Sequence, residues 1–263
     1  MDTQKNNDDL ENIRKRIDCL DKQISLLLSD RLRAIECIGK VKQQKRHSIT
    51  DSNREMQVLD HVLEMAKHPL FQECMSDIYK TIFEVSKKSQ HFMEHSILSM
   101  RRIGIIGLGL MGGSLCKALK IKDPHIHIAS IAYDSEDYES AKQQGLIDKE
   151  HKYMQDLVDA VDLIVIATPI SSVLPVAKKL RSNAKKLLIL DLASVKSTIT
   201  TAFELLTDET TEYISSHPMA GKEKNGFQNS TALLFVQQPW IIVPHGRNSK
   251  EALQKIEELI RFV

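Results

Sequence analysis

The segment IGIIGLGLMGGS, residues 103–114, decides the fold of most of this chain. Its first four residues have the apolar character of a buried strand. Three glycines at the spacing G-x-G-x-x-G follow at positions 107, 109 and 112, with a fourth at 113. A run with helical character, 115–119, comes next. Strand, glycine-rich turn and helix in this order open many parallel α/β sheets, because glycine permits a tight turn and a close approach of helix to strand. The segment therefore predicts a parallel α/β domain.

The residues that follow this segment are typical of a dinucleotide-binding sheet. A second apolar run, 127–133, ends in Asp134 about twenty residues past the last glycine, where an acidic residue accepts hydrogen bonds from the adenosine ribose. No Arg or Lys stands directly after Asp134 to bind a 2′-phosphate, so NAD is preferred over NADP. We expect these residues to contact the cofactor: Gly107, Gly109, Leu110, Met111, Gly112, Asp134, Thr168 and Pro169.

Two further apolar runs, 161–169 and 187–191, predict buried parallel strands. In such sheets ligands bind beyond the carboxyl ends of the strands. The loops that carry Thr168, Ser194 and His217 are therefore expected to form the site. A second interpretation of His217 remains open, in which it is a turn histidine whose ring is held by backbone groups.

The first ninety residues have a different, helical pattern that is interrupted only at Gly39 and Pro69. Three helices are predicted, at roughly 9–46, 52–67 and 70–92. The composition then changes near residue 100.

The chain is thus predicted to contain two domains of different classes. They are an all-α three-helix domain at 1–95 and an α/β Rossmann-type domain at 102–263, joined by a linker at 96–101.

Arg31 interrupts the apolar seam of the first helix. The other seam positions recur in steps of three and four: Leu10, Ile13, Ile17, Leu20, Ile24, Leu27, Ala34, Ile38 and Val41. An unpaired buried guanidinium costs several kcal/mol, so either carboxylates neutralise Arg31 or the site binds an anion. A helix of about 38 residues cannot be covered by two shorter helices, and its seam therefore predicts a homodimer.

Other polar residues share helix faces with each other. Arg31 and Lys42 are eleven residues apart, which returns them to nearly the same face about 16 Å apart. Ser86 and Gln90 form an i, i+4 pair. Plainer interpretations exist for most of these residues: isolated charges on helices are usually exposed, and Ser52 with Glu55 fits a capping box.

Residues 8–92 resemble the all-helical chorismate mutases. The residues that carry the resemblance are Arg14, Arg31, Lys42, Asp51, Arg54, Glu55, Ser86 and Gln90. It implies that Arg14 reaches into the partner's pocket, while Arg31 and Arg54 hold the substrate carboxylates. Asp51 and Glu55 would lie at the ring hydroxyl, and Ser86 would bind substrate. Lys42 and Gln90 would donate to the ether oxygen. A lyase that splits isochorismate shares the fold and similar cations, so the helices alone leave both reactions open.

Residues 102 to 263 resemble the prephenate dehydrogenases, which carry an SVK segment after the fifth strand and an HPMAG segment after the next. These segments lie here at 194–196 and 217–221. The resemblance implies that His217 is the catalytic histidine, that Ser194 assists it at the substrate hydroxyl, and that Lys196 contacts the substrate. The family continues with a helical dimerisation domain, whereas this chain ends at 263. We therefore expect depressed dehydrogenase activity.

Together the resemblances predict a bifunctional enzyme of tyrosine biosynthesis, because the product of the first family, prephenate, is the substrate of the second. Two alternatives remain open. One is a mutase whose dehydrogenase half binds NAD without turnover, and the other is a non-catalytic protein that senses related metabolites. The choice between prephenate and its amino analogue arogenate also remains open.

Composition excludes several other classes of protein. The chain carries 36 Lys and Arg against 35 Asp and Glu, which gives no reason to expect nucleic acid or an anionic membrane as a partner. Its four cysteines lack the spacing of a metal site or a disulfide framework. No apolar run approaches the roughly 18 residues that a membrane span needs. We expect a cytoplasmic protein without a metal.

Overall fold

A computed structural model describes residues 2–45, 51–92, 98–131, 135–182 and 185–263 of the chain, with side chains for all of these except 2–9, 36 and 39–45. The chain divides into two compact units, Met1–Glu94 and His95–Val263. No helix among the described residues is long and apolar enough to cross a membrane.

The first unit consists of α1 (Asp2–Lys45), α2 (Ser52–Met65) and α3 (Pro69–Phe92). Proline suits the first position of α3, because the amide hydrogen that it lacks would have no partner within the helix. Helix α3 packs against both α1 and α2. The three predicted helices are therefore present, and α1 begins several residues earlier than its pattern indicates.

The predicted capping box at Ser52 and Glu55 is wrong. Asp51 is the N-cap of α2, and its Oδ1 accepts a hydrogen bond from the amide of Arg54 at 3.0 Å. Ser52 is already the first helical residue, so its hydroxyl lies one position too late in the chain to act as the N-cap.

Most of the described side chains of α1 are exposed to solvent in this unit. Every residue from 10 to 30 is exposed, and Ile13 and Leu27 reach 58% and 69% exposure. Only Ile35 is buried among the side chains of α1 that the structure describes. The apolar seam thus lies open along residues 10–30.

The second unit alternates strands with helices. In chain order these are β1 (Arg102–Ile106), α4 (Leu110–Lys122), β2 (His127–Ile131), α5 (Glu136–Gln143), β3 (Lys149–His151), α6 (Met154–Ala160), β4 (Leu163–Ile166), α7 (Ile170–Ala177), β5 (Leu187–Asp191), α8 (Ser197–Leu206), β6 (Thr211–Pro218), β7 (Trp240–Val243) and α9 (Lys250–Phe262). A 3₁₀ turn, Phe227–Asn229, lies between β6 and β7.

These strands form one sheet in the order β3-β2-β1-β4-β5-β6-β7. All neighbouring pairs are parallel except β6 with β7. Strands β4 and β5 are buried throughout, as expected for a parallel sheet covered on both faces. The order of the strands reverses direction between β1 and β4, which is where doubly wound sheets bind their ligands.

The glycine turn brings α4 against the carboxyl end of β1. Gly107 has φ +96°, which a residue with a side chain adopts only with strain. A Cβ on Gly112 would lie 1.8 Å from the carbonyl oxygen of Gly107, and a Cβ on Gly107 would lie 2.7 Å from the carbonyl of Ala167. Strand β1, the end of β4 and the start of α4 therefore meet at a point where no side chain fits.

Candidate active-site cleft and helical site

A cleft of about 840 Å³ opens at the carboxyl edge of the sheet. It is lined by most of the predicted cofactor residues together with the two polar residues of the later loops: Gly107, Gly109, Leu110, Met111, Thr168, Pro169, Ser194 and His217. Gly112 does not line the cleft and acts through its contact with Gly107. Asp134 lies outside the described residues.

The residues around this cleft fit a dinucleotide. No side chain caps α4 at Gly109 and its first turn contains no acidic residue, so the first amide groups of the helix remain available to a phosphate. Thr168 Oγ1 and His217 Nδ1 are buried, and neither has a hydrogen-bond partner in the part of the chain that the structure describes. Buried polar atoms of this kind are expected where a ligand supplies the missing partner.

His217 is held in place by its neighbours along and across the sheet. It lies near the end of β6, opposite Ile241 of β7. Next to it, Ser216 Oγ donates to the carbonyl oxygen of Asp191 at 2.8 Å and accepts from Trp240 Nε1 at 3.0 Å. This chain of hydrogen bonds joins β5, β6 and β7 beside the histidine. Within the described residues, no backbone group holds His217 Nδ1, as a turn histidine would require.

Lys196 occupies a different environment from the one its predicted role requires. Its Nζ lies 2.5 Å from Oδ2 of Asp191, a fully buried carboxylate that also accepts from the amide of Ala193 at 2.9 Å. Lys196 is not among the residues that line the cleft. Its charge neutralises Asp191 and so holds the loop that carries Ser194.

Burial determines how this pair titrates. Loss of hydration raises the pKa of Asp191 and lowers the pKa of Lys196, and the attraction between the two charges opposes both changes. Asp191 was not predicted as the partner of Lys196, although an acidic residue directly after the apolar run 187–190 is a visible signal.

In the helical unit the structure brings two of the predicted residues together. Arg31 Nη1 donates to Ser86 Oγ at 2.6 Å, and Ser86 donates in turn to the carbonyl oxygen of Ile82 at 2.5 Å. The guanidinium also lies 5.9 Å from the centre of the Phe83 ring. Among the described residues Arg31 has no carboxylate partner, so its charge is not neutralised there.

The other predicted residues of this unit are distributed around α2 and α3. Glu55 pairs with Lys87 at 3.2 Å, a lysine that sequence analysis did not single out. Arg54 is exposed, and its Nη1 lies 3.5 Å from Gln57 Oε1.

Gln90, Arg14 and Lys42 are the remaining predicted residues of the helical unit. Gln90 Oε1 is buried without a partner in the described part of the unit, and Arg14 is exposed. The side chain of Lys42 lies outside the described residues.

The glycine turn, the strand order and the cleft define the second unit as a nucleotide-binding α/β domain. The family model of the prephenate dehydrogenase nucleotide-binding domain matches residues 115–263, and the chain belongs to this family. The model of chorismate mutase type II matches residues 13–91, within the helical unit.

Individual relatives agree with both matches. The prephenate dehydrogenase of Lactococcus lactis is 34% identical over 159 residues, which cover 59% of this chain and 44% of the relative. The T-protein of Haemophilus influenzae is 24% identical over 219 residues, which cover 81% of this chain and 53% of the relative. That match is longer than either unit and so extends across both. The chain spans about half the length of these curated relatives.

A solved structure supports the fold of the second unit. Prephenate dehydrogenase from A. aeolicus, in complex with hydroxyphenyl propionate and NAD+, superposes with a TM-score of 0.57 and 26% identity. The superposition covers 63% of this chain and 58% of that protein.

We expect Lys196→Met to destabilise the α/β unit by about 3–5 kcal/mol, because it leaves the carboxylate of Asp191 buried without a cation. Urea unfolding followed through Trp240, the single tryptophan of the chain, reports on this unit. Since burial raises the pKa of Asp191, protonation removes the uncompensated charge as the pH falls. The difference between the variant and the parent is therefore largest at neutral pH and shrinks toward acid pH.

Lys186→Met is the matched control for this experiment. Lys186 is 78% exposed and lies 3.9 Å from Glu251, so its loss changes stability by about 0.5 kcal/mol or less. A deficit for Lys196→Met no larger than that of the control would contradict the structural role of the buried pair.

Proposed function

We propose that the α/β unit is an NAD-dependent prephenate dehydrogenase and that the helical unit is a chorismate mutase. The observation that carries the first part is the cleft, which is lined by the glycine turn, Thr168, Ser194 and His217 together. Membership of the prephenate dehydrogenase family supports it. The match to chorismate mutase type II supports the second part.

In the dehydrogenase reaction His217 acts as the proton acceptor. Its Nδ1 accepts the proton of the ring hydroxyl of prephenate, and Ser194, on the same cleft, assists at that hydroxyl. When bound, NAD supplies the acceptor for the hydride that leaves the carbon bearing the hydroxyl. The ring carboxylate then leaves as carbon dioxide, and the electron pair of the broken bond completes the aromatic ring. The resulting phenolate oxygen takes back the proton from His217, so the products are 4-hydroxyphenylpyruvate, carbon dioxide and NADH. Lys196 positions the Ser194 loop.

Different predicted residues contact different parts of the dinucleotide. The first amides of α4, at Leu110 and Met111, bind the pyrophosphate. Thr168 Oγ1 is buried without a partner in the described cleft, and it supplies a hydrogen bond to a part of the cofactor beyond the pyrophosphate. The contact of Asp134 with the adenosine ribose remains a prediction from sequence.

The mutase reaction requires cations and a shaped pocket rather than a nucleophile. Chorismate rearranges as one carbon–oxygen bond breaks and one carbon–carbon bond forms, so the protein has to fold a flexible dianion and stabilise charge on the ether oxygen. Arg31 is held by the neutral hydroxyl of Ser86 and keeps its charge for a substrate carboxylate. The unpartnered Oε1 of Gln90 lies on α3, the helix that carries Ser86. The roles of Arg14, Lys42, Asp51, Arg54 and Glu55 remain predictions.

The exposed seam of α1 supports a homodimer through the helical unit. An apolar face of this length is stable in water when a second copy covers it, and coiled-coil packing suits its three-four spacing. A shared mutase site then places Arg14 of one chain in the pocket of the other. The cytoplasmic location expected from the sequence remains a prediction.

We expect Arg31→Ala to lower mutase kcat/KM on the order of a hundredfold or more, because a charged hydrogen bond in a desolvated pocket contributes roughly 2–4 kcal/mol. Stability should change little. Arg33→Ala is the matched control, since Arg33 is exposed on the same helix and pairs with Asp30. Steady-state kinetics with chorismate measure both variants, and an equal effect of the two would count against Arg31 as a substrate contact.

Arg31→Ala, combined with Arg14→Ala, also tests the shared site. Arg14→Ala and Arg31→Ala chains, each expected to have low activity alone, should regain activity when they are mixed and refolded, because one pocket of each mixed dimer keeps both arginines. A mixture that stays inactive, or a parent chain that sediments as a monomer, would argue against the intertwined dimer.

For the second unit, His217→Asn should lower dehydrogenase kcat by about a hundredfold or more, because the proton acceptor is lost. Mutase activity and the Kd for NAD should remain close to those of the parent, which serves as the internal control. An unchanged kcat would refute the assigned role of His217, and a matching loss of NAD binding would make it a structural residue.

A further inference from the structure

Asp137 is the one acidic side chain in the first turn of α5 that faces the cleft. That turn contains Glu136, Asp137 and Glu139, and of these three only Asp137 lines the cleft. Its Oδ1 accepts a hydrogen bond from the amide of Phe227 at 2.7 Å. Its Oδ2 lies 3.5 Å from the position that a Cβ on Gly109 would occupy. The second oxygen of the carboxylate is thus directed at the middle glycine of the turn.

The amide that holds Asp137 is itself fixed to α4. Phe227 is buried and its ring packs against Gly113. Lys117 Nζ lies 4.5 Å from the centre of that ring and donates to the carbonyl oxygen of Ser230 at 3.1 Å. The carboxylate of Asp137 therefore cannot turn away from Gly109 without breaking a hydrogen bond to a rigid partner.

The surroundings of Asp137 match the place where the adenosine ribose of a dinucleotide lies. The pyrophosphate binds at the start of α4, and the ribose lies between this turn and the segment that follows β2. Helix α5 is the first helix after β2, and Gly109 precedes α4. A carboxylate oxygen at this position accepts a hydrogen bond from a ribose hydroxyl, whereas a 2′-phosphate there brings like charges together.

We propose that Asp137 is a cofactor-specificity residue that favours NAD over NADP, acting beside or instead of Asp134. The inference rests on the proposed dehydrogenase function. Among the described residues that line the cleft, Lys222 is the only Lys or Arg. It donates to the carbonyl oxygen of Asn229 at 2.7 Å and so is tied to its own loop. Within the described lining, the charge of Asp137 is therefore not offset by a free Lys or Arg.

Asp137→Asn tests the proposal with the full chain. The amide oxygen can still accept from Phe227, so the fold is kept while the charge is lost. Calorimetric titration, or quenching of Trp240 fluorescence, gives the Kd for NAD+ and for NADP+. We expect the ratio of the two Kd values to shift toward NADP+ by about tenfold or more, with the Kd for NAD+ changing less than about threefold. Asp137→Ser shifts the ratio in the same direction.

Glu136→Gln is the matched control, because it removes one charge from the same turn at an exposed position. It should leave the ratio unchanged. A ratio that does not move in Asp137→Asn, or that moves as much in Glu136→Gln, overturns the specificity role, while NAD+ binding by the parent leaves the proposed function standing. A parent chain that binds neither nucleotide overturns the proposed cofactor and this inference together.

Discussion

The cleft of the α/β unit depends on one close contact, between Gly112 and the carbonyl oxygen of Gly107. Because a Cβ at Gly112 would lie 1.8 Å from that oxygen, α4 can start only where no side chain intervenes. This contact directs the first amides of the helix past the end of β1 and toward the end of β4. The uncapped start of α4, the strand reversal and the cleft consequently coincide.

Two cations, Lys196 of the α/β unit and Arg31 of the helical unit, differ in whether a described carboxylate neutralises them. Lys196 is neutralised by Asp191 at 2.5 Å, so its charge is used within the fold. Arg31 contacts the hydroxyl of Ser86 and the face of Phe83, and no described carboxylate neutralises it. A cation with neutral neighbours remains available to an anionic substrate. Lys196 and Arg31 cannot be told apart in this respect from sequence, since both are predicted substrate contacts.

Much of the fold was predictable because the sequence contains continuous apolar runs and regularly spaced glycines. The glycine spacing and the apolar runs of β1, β2, β4 and β5 predict a parallel sheet and its ligand edge, because strands buried on both faces are apolar throughout. Strand β3, of sequence KEH, is a short polar edge strand without such a pattern. Contacts between distant residues were also unpredictable, such as that of Asp137 with Phe227, 90 positions apart. The cap of α2 was misassigned because two neighbouring residues, Asp51 and Ser52, both suit an N-cap.

The central claim is that one chain makes prephenate in its helical unit and oxidises it in its α/β unit. The most direct measurement is mass spectrometry of the products formed from chorismate by the full chain, with and without NAD. Without NAD we expect prephenate alone, and with NAD we expect 4-hydroxyphenylpyruvate together with an equal amount of NADH. Prephenate as the sole product under both conditions would contradict the dehydrogenase half of the claim, and unconsumed chorismate would contradict the mutase half.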